Sequence, residues 1–165
     1  MNRLFATMLL LLTAFPVCAA DAGMFGQGHT QFSLVAGNGH AFDANYFVFG
    51  ASASYYVRDG LGIGMAFENW SGGGAGITKY EPFVRYVYYQ SSSVQPYVGG
   101  FYRHTSVAGL SGINSLGARA GIYIAAGPNT AVSVGLVHES YLDCQATVYL
   151  ACSETYPDFS IAFGF

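Results

Sequence analysis

The chain is short of charge. Six Lys and Arg and nine Asp and Glu make up only 9% of its residues, leaving a formal net charge of −3. With so sparse and slightly acidic a balance, and no basic cluster, nucleic acid is not an expected partner. Cysteine is scarce too, at three residues. His138 near Cys144 and Cys152 gives at most three soft ligands, at no recognised metal-site spacing. No Gly-x-Ser-x-Gly elbow and no His-Glu-x-x-His occurs. The glycine-rich stretch 71–79 lacks the Gly-Lys-Ser/Thr ending of a phosphate loop and leads into a strand. No cofactor and no metal are therefore expected. Beyond the first residues, no apolar run approaches the ~20 residues that a spanning helix needs.

Aromatics, at 16% of the chain, and 22 glycines are what the sequence has in plenty. The start is distinctive. A basic Met1-Asn2-Arg3, an apolar core over residues 4–14 and the small-residue stretch Pro16-Val17-Cys18-Ala19-Ala20 form a secretory signal peptide, cleaved after Ala19 or Ala20. Residues 1–20 are thus expected to be removed, and 21–165 to form one domain. Export to an oxidising compartment, with Cys144 and Cys152 in one short segment, favours a disulfide between them.

The last ten residues, Tyr156-Pro157-Asp158-Phe159-Ser160-Ile161-Ala162-Phe163-Gly164-Phe165, carry a large apolar side chain at every second position. Phe159, Ile161, Phe163 and Phe165 share one face, with small or polar residues on the other. Apolar outside and polar inside is the dyad of a membrane-spanning β-strand. Turn signals divide the chain into eight such strips, at 30–36, 46–57, 61–70, 79–89, 97–105, 115–125, 131–142 and 154–165. Most have roughly the 9–11 residues of a tilted spanning strand. Closing them into a barrel satisfies every backbone group within a bilayer. The expected fold is all-β, an eight-stranded antiparallel transmembrane β-barrel. Its short turns are expected at Arg58-Asp59-Gly60, 90–94 and 126–130, on the side of both termini. A secreted lipocalin-like barrel would put its apolar residues inside and leave this chain too few charges for its surface.

Strict alternation then assigns faces. Phe47, Phe49, Ile63, Met65, Phe67 and Leu116 point outward, and Glu68, Glu81, Arg85, Arg103, Arg119, Glu139 and Asp158 point into the lumen. An eight-stranded barrel is just wide enough to be filled by side chains. Buried charges must be paired, so the expectation is an ion-pair network that plugs the lumen and leaves negligible conductance.

One polar pair lies on the outward face. On the seventh strip Val132, Val134 and Leu136 are followed by His138 and Ser140, and a Ser beside a His is the minimum for an activated nucleophile. Glu154, near the same rim, would be the third member. This layout resembles the lipid A 3-O-deacylase family, barrels with a His-x-Ser on the penultimate strand and an acid on the last. The resemblance implies acyl-ester hydrolysis on lipopolysaccharide, with Ser140 attacking, His138 taking its proton and Glu154 orienting the imidazole. Two features depart from it. Tyr141 stands where that family has Asn, and counting back from Phe165 places Glu154 on the lumen parity.

A broader resemblance covers nearly all of residues 21–165. Lys79-Tyr80-Glu81-Pro82-Phe83-Val84-Arg85-Tyr86, Gln95-Pro96-Tyr97-Val98-Gly99-Gly100 and Leu116-Gly117-Ala118-Arg119-Ala120-Gly121 resemble the strand phrases of small porin-like and opacity-type outer-membrane proteins. That implies a structural or surface-interaction protein without catalysis, seated among outer-membrane lipids and lipopolysaccharide. It also implies insertion by the barrel-assembly machinery through the strand ending in Phe165.

Overall fold

The computed structural model describes residues 23–41, 44–90, 93–142, 144 and 151–165; residues 1–20, expected to form a signal peptide, lie outside the described residues. Eight strands follow one another as β1 Thr30–Ala41, β2 Ala44–Arg58, β3 Leu61–Gly72, β4 Ile77–Val87, β5 Val94–Val107, β6 Ile113–Gly127, β7 Thr130–Tyr141 and β8 Ser153–Gly164. Each pairs antiparallel with the next, and β8 returns to β1 to close the barrel.

The period-two pattern explains both faces. Phe49, Met65, Val98, Leu136 and Phe159 stand exposed on the outer wall, where a membrane-spanning barrel meets lipid. Their strand neighbours Gly50, Tyr97, Val137 and the like turn inward. Tyr46, Tyr56, Tyr97, Phe101 and Tyr123 are buried there, so the core of this fold is the lumen itself. Large rings fit because glycines face them. A side chain at Gly117 on β6 would collide with the ring of Phe101 on β5.

The strands differ from the sequence expectation at one end. Gly37-Asn38-Gly39, expected as a loop, continues β1, with Gly37 opposite Val48, Asn38 opposite Phe47 and Gly39 opposite Tyr46. The turn signal is overridden because β2 offers a long complementary edge. Glycine at 39 is required there because the Trp70 ring lies where its side chain would be.

The lumen is sealed at both ends by apolar clusters. At the end that holds the termini, a single 3₁₀ turn at Gly23–Phe25 pushes Met24 and Phe25 into the bore. They join Tyr56, Val87, Tyr97, Tyr123, Ala131 and Ala162. The Phe25 ring lies 5.1 Å from Tyr123 and 5.8 Å from Tyr56, and the Gly60 amide donates to the Phe25 carbonyl at 2.8 Å. At the other end Tyr46, Ile77 and Val107 close the bore with Trp70 and Ala44. Between these clusters lie the charges.

Candidate functional site

Five strands, β4 to β8, bring the main charged layer together, and inward parity puts it in the lumen. One carboxylate oxygen of Glu81 on β4 accepts from Arg103 Nε at 2.9 Å and Nη2 at 2.5 Å, while the other meets Arg119. Arg103 Nη1 reaches across to Glu139 on β7. Glu139 also accepts from Ser115 Oγ at 2.5 Å and from Tyr156 Oη at 2.8 Å. Arg119 lies 3.8 Å from Asp158 on β8. The Arg103 guanidinium stacks 4.8 Å from the Phe101 ring. The side chains of Arg103, Glu81 and Glu139 are almost wholly enclosed, so each charge is both paired and hydrogen-bonded, as burial in a low dielectric demands.

Toward the end opposite the termini, Glu68 lies 3.8 Å from Lys79 Nζ and accepts from Trp70 Nε1 at 3.1 Å. Lys79 sits 4.4 Å above the Trp70 ring. Lys79, Ser115 and Tyr156 are participants that the sequence reading did not name. The signal existed, because Lys79 has the parity of Glu81, Ser115 that of Arg119, and Tyr156 that of Asp158.

Arg85 corrects the expected network. It points inward, yet no carboxylate lies within ion-pair distance of it among the described residues. Its Nη2 donates to Gln31 Oε1 at 2.8 Å and Ser54 Oγ at 3.2 Å, and Nη1 meets Tyr123 Oη. Tyr56 Oη completes the group by donating to Gln31 Oε1 at 2.7 Å. The reason is spacing. Glu81 is four residues along β4, roughly 13 Å away at strand rise. Arg85 therefore falls in a separate layer of hydroxyls and amide, beside the Phe25 cluster.

His138, Ser140 and Glu154 do not converge. β7 and β8 pair in unbroken register from Thr130↔Phe163 to Ser140↔Ser153. His138 consequently faces Thr155, with Nδ1 2.8 Å from Thr155 Oγ1, and Ser140 faces Ser153. Glu154 lies opposite Glu139, on the lumen face, and accepts from Tyr141 Oη at 2.5 Å. No bulge turns it outward, and among the described residues no carboxylate holds the imidazole. The hydrolase arrangement thus lacks its acid. Ser140→Ala is expected to leave the acyl pattern of lipid A unchanged, read by mass spectrometry of lipid A from cells expressing either form.

Cys144 and Cys152 are joined in a disulfide that closes the connection between β7 and β8. Among the described residues no group of three or more His, Cys, Asp or Glu is placed to hold a metal.

No family model and no curated protein matches the chain in sequence. Solved structures match it in fold. The N-terminal β-barrel domain of Pseudomonas aeruginosa OprF superposes with a TM-score of 0.63 at 15% identity, covering 85% of this chain and 99% of that one. Neisserial surface protein A gives 0.55 at 16% identity, covering 82% and 94%. Ail, the attachment invasion locus protein of Yersinia pestis, gives 0.51 at 17% identity, covering 84% and 99%. The chain has the fold of the small eight-stranded outer-membrane β-barrels.

Proposed function

We propose that the protein is an integral outer-membrane β-barrel with a closed lumen, whose role is structural or surface-facing within the cell envelope. One observation carries the closed lumen: Arg103, enclosed on every side, bridges Glu81 and Glu139 across the bore. Apolar clusters seal both ends beyond it. The belt of exposed Phe, Leu, Ile, Val and Met on the outer wall supports contact with membrane lipid and, on the outer leaflet, with lipopolysaccharide. Phe165, exposed and edge-on to Phe32 at 5.9 Å, presents the last strand to the assembly machinery. The connections opposite the termini favour a structural role over adhesion. β1 and β2 are joined through residues 42–43, β3 and β4 through 73–76 and β5 and β6 through 108–112, while the longest connection, 142–152, is tied by the Cys144–Cys152 disulfide, so the loops offer only a modest surface to grip a partner.

Planar bilayers and cell fractionation test this reading together. The purified barrel is expected to give no stable openings, and the protein in cells to fractionate with the outer membrane. Sustained, large unitary currents would overturn the closed lumen, and recovery in the soluble fraction would overturn the membrane placement.

A further inference from the structure

Seven strand junctions are paired along most of their length. The closing junction is not. β1 and β8 pair from Gln31↔Gly164 to Leu34↔Ile161 and, among the described residues, no further. Residues 35–41 of β1 and 153–160 of β8 run on without facing each other in a ladder.

The sequence is built for this gap. The Tyr141 amide donates to the Cys152 carbonyl and the Gly164 amide to the Asn129 carbonyl, both at 2.9 Å. Even-numbered amides of β8 therefore point to β7 and odd-numbered ones to β1, and the Phe165 amide accordingly donates to Thr30 at 2.8 Å. Pro157 is odd-numbered, so its missing N–H costs nothing toward β7 and removes a donor toward β1. Beyond Val35, the next inward positions on β1 are Gly37 and Gly39, with no side chain to fill the space.

A cavity of about 70 Å³ lies behind the gap, lined by Ser33 and Val35 on one side and Asp158 and Ser160 on the other, with Ser52 and Lys79 within. No residue of the Tyr46 cluster and only Tyr97 of the Phe25 cluster reaches its lining, whereas Leu34, Ala51 and Phe67 of the outer wall take part in it, so its way out is lateral. Outside, the gap is flanked by exposed Phe32, Leu34, Phe159 and Ile161. Polar within and apolar without, such an opening selects an amphiphile. The charges within are ion-paired, Lys79 to Glu68 and Arg119 to Asp158, and the Nε atoms of Arg85 and Arg119, which have no partner, are enclosed, which leaves the hydroxyls of Ser33, Ser52 and Ser160 to meet a ligand. The volume suits a head of roughly five water-sized groups.

We propose that the unpaired β1–β8 seam is the lateral mouth of a binding site for a single-chain membrane amphiphile, whose compact, uncharged, hydroxyl-bearing head enters the cavity while its tail stays in the bilayer. This rests on the membrane placement proposed above, so vesicle flotation is measured first and alone reports failure of that placement.

Trp70, the one tryptophan of the chain, reads the cavity because it contacts Glu68 and Lys79, both in its lining. The probe is 2-bromohexadecan-1-ol, its bromine beside the head, added to the protein in phosphatidylcholine vesicles. Saturable quenching of Trp70 is expected, with 1-bromohexadecane quenching only weakly. Two variants are expected to weaken the apparent affinity about tenfold. One is Ala36→Cys/Phe159→Cys, a disulfide across the seam at positions that continuing register would oppose. The other is Ser160→Phe, which fills the cavity from inside and carries the test if the disulfide does not form. Unsaturable quenching that is equal in all three proteins would overturn the proposal. So would a cross-link at these cysteines between two copies of the chain, which would make the seam a protein interface.

Discussion

Arg103→Met is expected to destabilise the barrel by about 3–5 kcal/mol, measured as a fall in the urea midpoint of unfolding from lipid vesicles. The size follows from what is left behind. Arg103 is held by both Glu81 and Glu139, and its removal leaves Glu139 with only the hydroxyls of Ser115 and Tyr156 in an enclosed site. Glu81 is less affected because Arg119 still meets its second oxygen. The same asymmetry predicts a rescue. Arg103→Met/Glu139→Met removes the stranded charge along with the cation, and apolar side chains of similar volume suit the neighbouring Phe101 and Val137. Most of the lost stability is expected to return in the double variant, since a buried ion pair is often no more stabilising than a well-packed apolar substitute. A double variant as unstable as the single one would mean that the layer acts through a network extending to Arg119 and Asp158, and not through the Arg103 pairs.

The alternation at Phe159, Ile161 and Phe163 was enough to read a barrel, because a strand half in lipid and half in a crowded lumen tolerates few exceptions to its period. The same period placed Glu81, Arg103, Arg119 and Glu139 inward. What alternation cannot supply is height along the barrel axis, which depends on how neighbouring strands are staggered. Glu154 shows both sides of this. Its parity put it in the lumen, and the unbroken β7–β8 register leaves it there, across from Glu139 and away from His138. Arg85 shows the limit. Parity turned it inward, but only the register that sets Gln31, Ser54 and Tyr123 beside it reveals a cation held by neutral groups. Met24 and Phe25 were illegible for another reason. A three-residue turn has no periodicity, and its burial depends on a cavity made by six strands that follow it.

That turn carries the second large effect. Met24→Ala/Phe25→Ala is expected to cost at least about 3 kcal/mol, since truncating a buried Phe alone typically costs 3–5 kcal/mol. Phe25 holds its place through two ring contacts and the Gly60 amide, and only the last survives truncation. The aromatic partners Tyr56 and Tyr123 would face water at the mouth. Conductance, in contrast, is expected to stay at the baseline of the parent protein in planar bilayers. A path through the bore would still have to pass Arg85 with its ring of Gln31, Ser54 and Tyr123, then the Glu81–Arg103–Glu139 bridge, then Tyr46, Ile77 and Val107. Stability and closure are thus separable in this barrel: the apolar floor contributes to the first, while the second is enforced independently at each layer above it. Stable openings in the floor variant would show the opposite, that the charged layers move aside once the floor is gone and that Phe25 is the gate.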